Sequence, residues 1–421
     1  MDFFESLQNY LPEAEIDKLK EALSKESEHA VLLNTKKMSD QTFLSLFPNV
    51  IKHPIVPHAY IYNINDYQLG KTIYHDLGCF YLQEPSAMCV SYFLNPQKED
   101  LVLDLCAAPG GKTIQASLLM DNQGLIIAND LSRKRSSIIV DNVERLGLGN
   151  VIVVNNDFQN IYHKYQNTFS KIILDAPCSG SGMFRKDEKM FTDWSYNKVL
   201  KFQEIQKQLI LMCYDMLKPG GVLSYSTCSY SKEENEDVVK YLLSNRQADI
   251  INIDSPLLYK SANEPLGVHF FPHLFSGEGH YLCLIKKPGI DHSKIKNLFN
   301  LKNKYNLPFN NIDKYGNYLF GINNSFDEKY LNIVRKGVKI GEIVKDKIKF
   351  DYHYSHYVTS FEPAYELDNE QLKSYILGDV IRVKVPKGDI LLTYKGINIC
   401  IAYSDGNMIK NSYPKHLRKH L

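Results

Sequence analysis

The distribution of apolar positions along the chain divides it into three stretches. Residues 11–25 place Leu11, Ile16, Leu19 and Leu23 at helical spacing. A mixed stretch follows to about residue 95, with a strand predicted at His58–Tyr62 among prolines. From Leu101 the pattern becomes regular. Leu101–Leu105, Leu125–Asp130, Val151–Val154 and Ile172–Asp175 are short apolar runs that end on or close to an acid. Helical stretches separate them; in one, Phe202, Ile205, Leu209, Met212 and Met216 recur at steps of three and four, and Lys218-Pro219-Gly220-Gly221 is expected to end it. Such alternation predicts right-handed βαβ units and a mostly parallel sheet. After Pro288-Gly289 the pattern changes to short strands, among them Ile381–Val385 and Ile390–Tyr394, separated by Lys-Gly turns.

Composition excludes several classes. The 421 residues hold 49 Lys+Arg against 48 Asp+Glu and are 44% apolar, an ordinary globular balance. No apolar run reaches membrane-spanning length, and the start Met1-Asp2-Phe3-Phe4-Glu5 lacks a secretory pattern. Eight cysteines without paired spacing suggest reduced thiols, so a soluble, cytoplasmic chain is expected. The near-zero net charge conceals an asymmetry, because residues 291–421 carry 21 Lys+Arg and 14 Asp+Glu. A basic C-terminal third fits either a polyanion partner or a solvated surface.

Candidate chemistry sits at the strand ends, where parallel sheets bind ligands. The turn Cys106-Ala107-Ala108-Pro109-Gly110-Gly111 before Lys112-Thr113 resembles a phosphate loop, yet position 106 is Cys where that loop needs its first Gly. A glycine turn opening a helix still offers backbone amides to an anion, a carboxylate as readily as a phosphate. Asp130 is placed to take a ribose diol, and Asp157 an adenine amine. Cys178 and Cys228 stand in polar loops at the same edge, where nucleophiles are found, whereas Cys79, Cys89, Cys213, Cys283 and Cys400 read as small core residues. Lys112 reads as a ligand contact or a helix-start cation; Arg185, Lys186 and Lys189 as phosphate contacts or a solvated run; Trp194 as a core or a base-stacking ring. His269, His273, His280 and Cys283 match no zinc spacing, so no metal is expected.

Three segments carry a family resemblance. DLCAAPGGKT (104–113), DAPCSGSGMFRKDE (175–188) and YSTCSYSKEENEDVV (225–239) resemble, in order and spacing, the motifs of the Nop/Sun family of RNA cytosine-5 methyltransferases. Gln83–Met88 resembles the segment before the family's first sheet strand, and the likeness covers residues 30–287. The tail 410–418 resembles that of the bacterial RsmF branch, in which it belongs to a PUA-like RNA-binding domain. One departure is Leu32-Leu33 before Asn34-Thr35, where the family often has Arg.

The resemblance implies a Rossmann-like α/β domain with a mostly parallel seven-stranded sheet over residues 96–288. It also implies a small α+β RNA-binding region over 1–95 and a linker with a β-rich PUA-like domain over 289–421. S-adenosylmethionine is implied as cofactor, held by residues Cys106, Ala107, Ala108, Pro109, Gly110, Gly111 and Lys112 with Asp130, Arg135, Asp157 and Asp175. Cys228 is then the nucleophile, Cys178 releases the product, and Asp175 meets the base edge. The chemistry itself calls for such a thiol: cytosine C5 is too poor a nucleophile until a thiolate adds to C6. The expected substrate is structured RNA, most directly 16S rRNA or the small ribosomal subunit, acted on by a monomer. The alternatives are a tRNA methyltransferase with the same chemistry and a non-catalytic ribosome-assembly factor, against which intact Cys178, Cys228 and Asp175 argue.

Overall fold

The structure, a computed structural model, describes residues 2–261, 265–291, 307–324 and 326–418. Its centre is a sheet whose strands are Leu101–Asp104 (β1), Leu125–Asn129 (β2), Val151–Val154 (β3), Phe169–Asp175 (β4), Leu217–Thr227 (β5), Asp249–Ile251 (β6), Tyr281–Lys286 (β7) and Ile333–Lys336 (β8). Their order is β6-β7-β5-β4-β1-β2-β3-β8, with Val268–His269 pairing β7 as a ninth strand. β1 to β5 are parallel, and β6, β7 and β8 are antiparallel to their neighbours. The seven strands expected are therefore present, and two more extend the sheet. β8 comes from beyond Pro288-Gly289, so the C-terminal third is tied into the central sheet along β3.

Continuous apolar runs form these strands because the sheet is covered on both faces. Successive residues of β1 and β2 enter opposite cores: Val102 and Ile126 pack on one side, Leu103 and Ile127 on the other. The helices Gly111–Leu119 (α1), Arg133–Leu146 (α2), Phe158–Lys164 (α3), Tyr196–Met216 (α4) and Glu236–Asn245 (α5) supply the covering layers. α2 buries Ser136, Ile139, Val140, Val143 and Leu146, and Ser132 caps it by accepting the Arg135 amide N–H. α4 ends at Met216, and β5 begins at Leu217. Pro219, Gly220 and Gly221 thus follow directly on the helix end expected there and lie in the strand's first half.

The first helices are Phe3–Leu7 and Glu13–Leu23, followed by a four-stranded sheet in the order Ile51–Lys52, Ala59–Tyr62, His29–Leu33, Phe80–Gln83. Beyond residue 306 lie a four-stranded antiparallel sheet (Asn311–Phe350) and a five-stranded one (Ala364–Ile409). Ile381–Arg382 is shorter than the strand expected over Ile381–Val385, because its partner Met408–Ile409 offers only two residues. The linker expected after Pro288-Gly289 runs into residues 292–306, outside the described residues. The two ends of the chain share one core: Val31, Phe43 and Tyr60 pack in the same cluster as Leu372, Tyr375 and Ile390. Among the described residues no helix is long and apolar enough to cross a membrane.

Candidate active site

The C-terminal ends of β1, β2, β4 and β5 meet at one edge, and each delivers a polar side chain there. β4 ends in Asp175 and continues into the loop of Cys178. β5 ends at Thr227 and continues into Cys228. The two sulfurs lie 3.0 Å apart, within hydrogen-bond reach, and both cysteines are half-buried. Gly182 lets the loops close on each other: its N–H donates to the Cys228 carbonyl at 2.7 Å. A Cβ there would stand 2.8 Å from that carbonyl oxygen and 2.6 Å from the Gly279 oxygen.

Asp175 is the electrostatic centre. Its Oδ2 accepts from Lys112 Nζ at 2.6 Å, and its Oδ1 faces the Ser226 hydroxyl at 2.8 Å and His280 Nε2 at 3.2 Å. Burial pushes the Asp175 carboxyl up, but the Lys112 ammonium and His280 overcome that and hold it well below the usual carboxylate range. Burial likewise works against the Lys112 charge, and Asp175 more than restores it. Cys178 behaves differently. Its hydrogen bond to Cys228, its burial and the carboxylates of Glu234 and Asp175 all push its thiol up, so it keeps its proton. The two thiols share a hydrogen bond that either sulfur can donate.

The turn from Cys106 to Gly110 lies beside this centre. Ala107 N–H donates to the Asn129 carbonyl at 2.8 Å, and Gly110 caps α1 with φ of 111°, a conformation that favours glycine. The first amides of α1 have no acceptor within the helix. Asp130 is buried at the end of β2; it accepts the Ser132 N–H at 2.9 Å and pairs with Arg135 at 3.2 Å. Arg135 also donates to the Ala108 carbonyl at 2.9 Å, which ties the turn to α2. Asp157 is exposed and caps α3 through the Gln159 N–H at 2.9 Å.

The chain matches the family profile of 16S rRNA methyltransferase RsmB/F over residues 91–286. It also matches the N-terminal domain of 16S rRNA methyltransferase RsmF over 1–85 and the methyltransferase RsmF PUA domain over 362–419. The ribosomal RNA small subunit methyltransferase F of Shewanella piezotolerans is 31% identical, across 94% of this chain and 92% of its own. The chain belongs to the ribosomal RNA small subunit methyltransferase F family. The enzyme of the same name from Vibrio parahaemolyticus is also 31% identical, over 83% of this chain and 81% of that one. Among solved structures, a methyltransferase homologue from Pyrococcus horikoshii aligns with a TM-score of 0.59 and 28% identity, over 67% of this chain and 93% of that one. NSun6 from the same organism, with SFG, shares the fold at a TM-score of 0.63 and 21% identity, over 69% of this chain and 98% of that one.

The cofactor of this methyltransferase family is S-adenosylmethionine, and the residues at the strand ends fit it. Asp104, overlooked in the sequence although it closes β1, is buried with Oδ1 lacking a hydrogen-bond partner among the described residues. Burial pushes its carboxyl up to about 7 despite the Thr113 hydroxyl at 2.6 Å. An orphaned carboxylate oxygen of this kind suits the ammonium of an amino-acid moiety, while the amides at the start of α1 suit its carboxylate.

Several neighbouring residues have structural partners. Arg185 is no open phosphate contact: its guanidinium is buried against Glu278 at 3.0 Å and also meets the Gly277 carbonyl. Lys186 and Lys189 remain exposed. Trp194 is a packing residue, 5.4 Å from the Phe3 ring. Tyr413 is buried edge-on against Tyr352 and offers no stacking surface. The three histidines each meet a different carboxylate: His269 with Glu236 at 2.7 Å, His273 with Glu15 at 2.8 Å and His280 with Asp175 at 3.2 Å. Among the described residues no group of three or more His, Cys, Asp or Glu is arranged around a metal position.

Proposed function

We propose that this RNA methyltransferase forms 5-methylcytosine in 16S rRNA through a covalent adduct between Cys228 and cytosine C6. The supporting observation is the pair of inequivalent thiols 3.0 Å apart, beside a carboxylate held ionised by Lys112. Of the two, Cys178 is the thiol whose titration is pushed up, which favours Cys228 as the attacking sulfur. Attack on C6 makes C5 nucleophilic. Bound at the β1–β2 edge, S-adenosylmethionine supplies the methyl group. Asp175, ionised and part-exposed, can accept from the exocyclic amine of the base and fix its orientation. Loss of the C5 proton to water then lets the C–H electron pair form the C5–C6 double bond while the C6–S bond breaks and Cys228 leaves as thiolate. Cys178, in contact with that sulfur, assists release. The target base must leave its helix to reach these thiols. The exposed lysines of the C-terminal sheet supply phosphate contacts that hold the RNA.

Cofactor-binding roles for Cys106 to Lys112, Asp130, Arg135 and Asp157 belong to the same proposal, as do a cytoplasmic location and action as a monomer. The names of the relatives favour small-subunit rRNA over tRNA. The test uses full-length protein, S-adenosylmethionine and unmethylated 16S rRNA on denaturing gels. Cys178→Ala should accumulate a protein–RNA adduct, and Cys228→Ala should form none and transfer no methyl group. An adduct with Cys228→Ala and none with Cys178→Ala would reverse the two roles.

A further inference from the structure

Glu234 ends a short turn, Lys232–Glu234, between the Cys228 loop and α5, and its side chain is fully buried. Both of its carboxylate oxygens are engaged. Oε1 accepts the Ser179 backbone N–H at 2.8 Å and Gln206 Nε2–H at 3.0 Å. Oε2 accepts the Ser229 hydroxyl at 2.5 Å and the Ser179 hydroxyl as well. Ser179 directly follows Cys178, and Ser229 directly follows Cys228. Gln206, on α4, also donates to the Pro177 carbonyl at 2.8 Å. The backbone of Glu234 is fixed in turn, since its carbonyl accepts the Tyr225 hydroxyl at 2.5 Å. A single carboxylate thus grips the residue after each cysteine, while the two serine oxygens stand 3.2 Å apart and the two sulfurs 3.0 Å apart.

Its hydrogen-bond partners are hydroxyls and amides, none of them a cation. Burial pushes its carboxyl up, and the four converging donors oppose that. After the hydrogen bond to Cys228 and burial, the Glu234 and Asp175 carboxylates add to the upward push on the Cys178 thiol.

We propose that Glu234 is a positioning residue of the two-thiol centre, which holds the residues after both cysteines and so sets the separation of the sulfurs and the environment of the Cys178 thiol. This rests on the two-thiol reading above. Glu234→Gln isolates the charge, because a glutamine can keep its oxygen towards the two N–H donors while the serine hydroxyls turn to accept from its amide. Glu234→Ala removes the clamp as well.

The first measurement needs no RNA. Full-length protein is alkylated with iodoacetamide from pH 6 to 10, and each cysteine peptide is quantified by mass spectrometry. In the wild type Cys178 should resist alkylation. In Glu234→Gln the rate at Cys178 near pH 8 should rise about tenfold, as expected when a neighbouring like charge is removed. The second measurement follows the adduct with 16S rRNA: Glu234→Gln should lower kcat through slower release while KM for RNA holds, and Glu234→Ala should lose adduct formation. If Glu234→Ala does not fold, the Glu234→Gln profile decides alone. A Cys178 profile identical in wild type and Glu234→Gln would overturn the inference. A shifted profile, with no RNA adduct from either Glu234→Gln or Cys178→Ala, would uphold Glu234 and overturn the cytosine-adduct reading.

Discussion

Replacing Lys112 by methionine leaves the Asp175 carboxylate without its cation. The two groups meet at 2.6 Å, with the lysine side chain 14% and the aspartate 26% exposed. Breaking a fully buried ion pair costs about 3–5 kcal/mol, because a charge is left desolvated. Asp175 keeps the donors Ser226 and His280 and some contact with water, which should bring the loss to ~2 kcal/mol. Urea unfolding followed by circular dichroism measures it. The sign of the pH dependence follows from the depressed carboxyl of Asp175. Its contribution is present above the usual carboxylate range and lost as pH falls through its lower folded value. Lys112→Met raises that folded value towards the unfolded one, so the variant should lose less stability on acidification than the wild type, and the gap between the two should narrow as pH falls. The double variant Lys112→Met/Asp175→Asn removes the stranded charge and should recover most of the stability while remaining inactive. A single variant within about 0.5 kcal/mol of wild type, or a double variant less stable than the single, would refute the reasoning.

Two further outcomes are expected. Asp130→Ala should weaken S-adenosylmethionine binding by about 1.5–3 kcal/mol, roughly ten- to a hundredfold, measured by calorimetry; unchanged affinity would remove Asp130 from the cofactor site. Lys384→Glu/Lys387→Glu/Lys415→Glu changes three exposed positions of the C-terminal segment and should lower both the affinity for 16S rRNA and its salt dependence, with S-adenosylmethionine affinity unchanged; wild-type RNA affinity and salt slope would make those lysines plain surface.

The candidate edge was legible because its residues are local in sequence. Strand ends, a glycine turn and two cysteines in polar loops point to one edge once the sheet is parallel, and the structure brings Lys112, Asp175, Cys178 and Cys228 together there. Asp104 was missed because its acid sits inside an apolar run and reads as the strand's last residue. Glu234 was missed for the opposite reason: Lys232-Glu233-Glu234-Asn235-Glu236-Asp237 reads as a solvated charge run. Only tertiary structure shows that Glu234 and Glu236 are buried, each with its own donors.

The terminal regions were less legible because their partners are distant in sequence. The apolar positions of the first helix, Phe3 and Leu7, announce an amphipathic surface but not what covers it. In the structure Phe3 packs on Phe184, Trp194 and Tyr230, and the Tyr10 hydroxyl donates to the Tyr230 carbonyl. These contacts brace both cysteine loops from outside, since Phe184 follows Cys178 and Tyr230 follows Cys228. At the other end, β8 closes the sheet beside β3, and the last sheet shares its core with Val31 and Tyr60. Removing everything after Pro288 would therefore uncover an edge of the catalytic sheet and half of a shared core. The RNA-binding role proposed for the C-terminal third is accordingly separated from folding by point changes at exposed lysines and not by truncation.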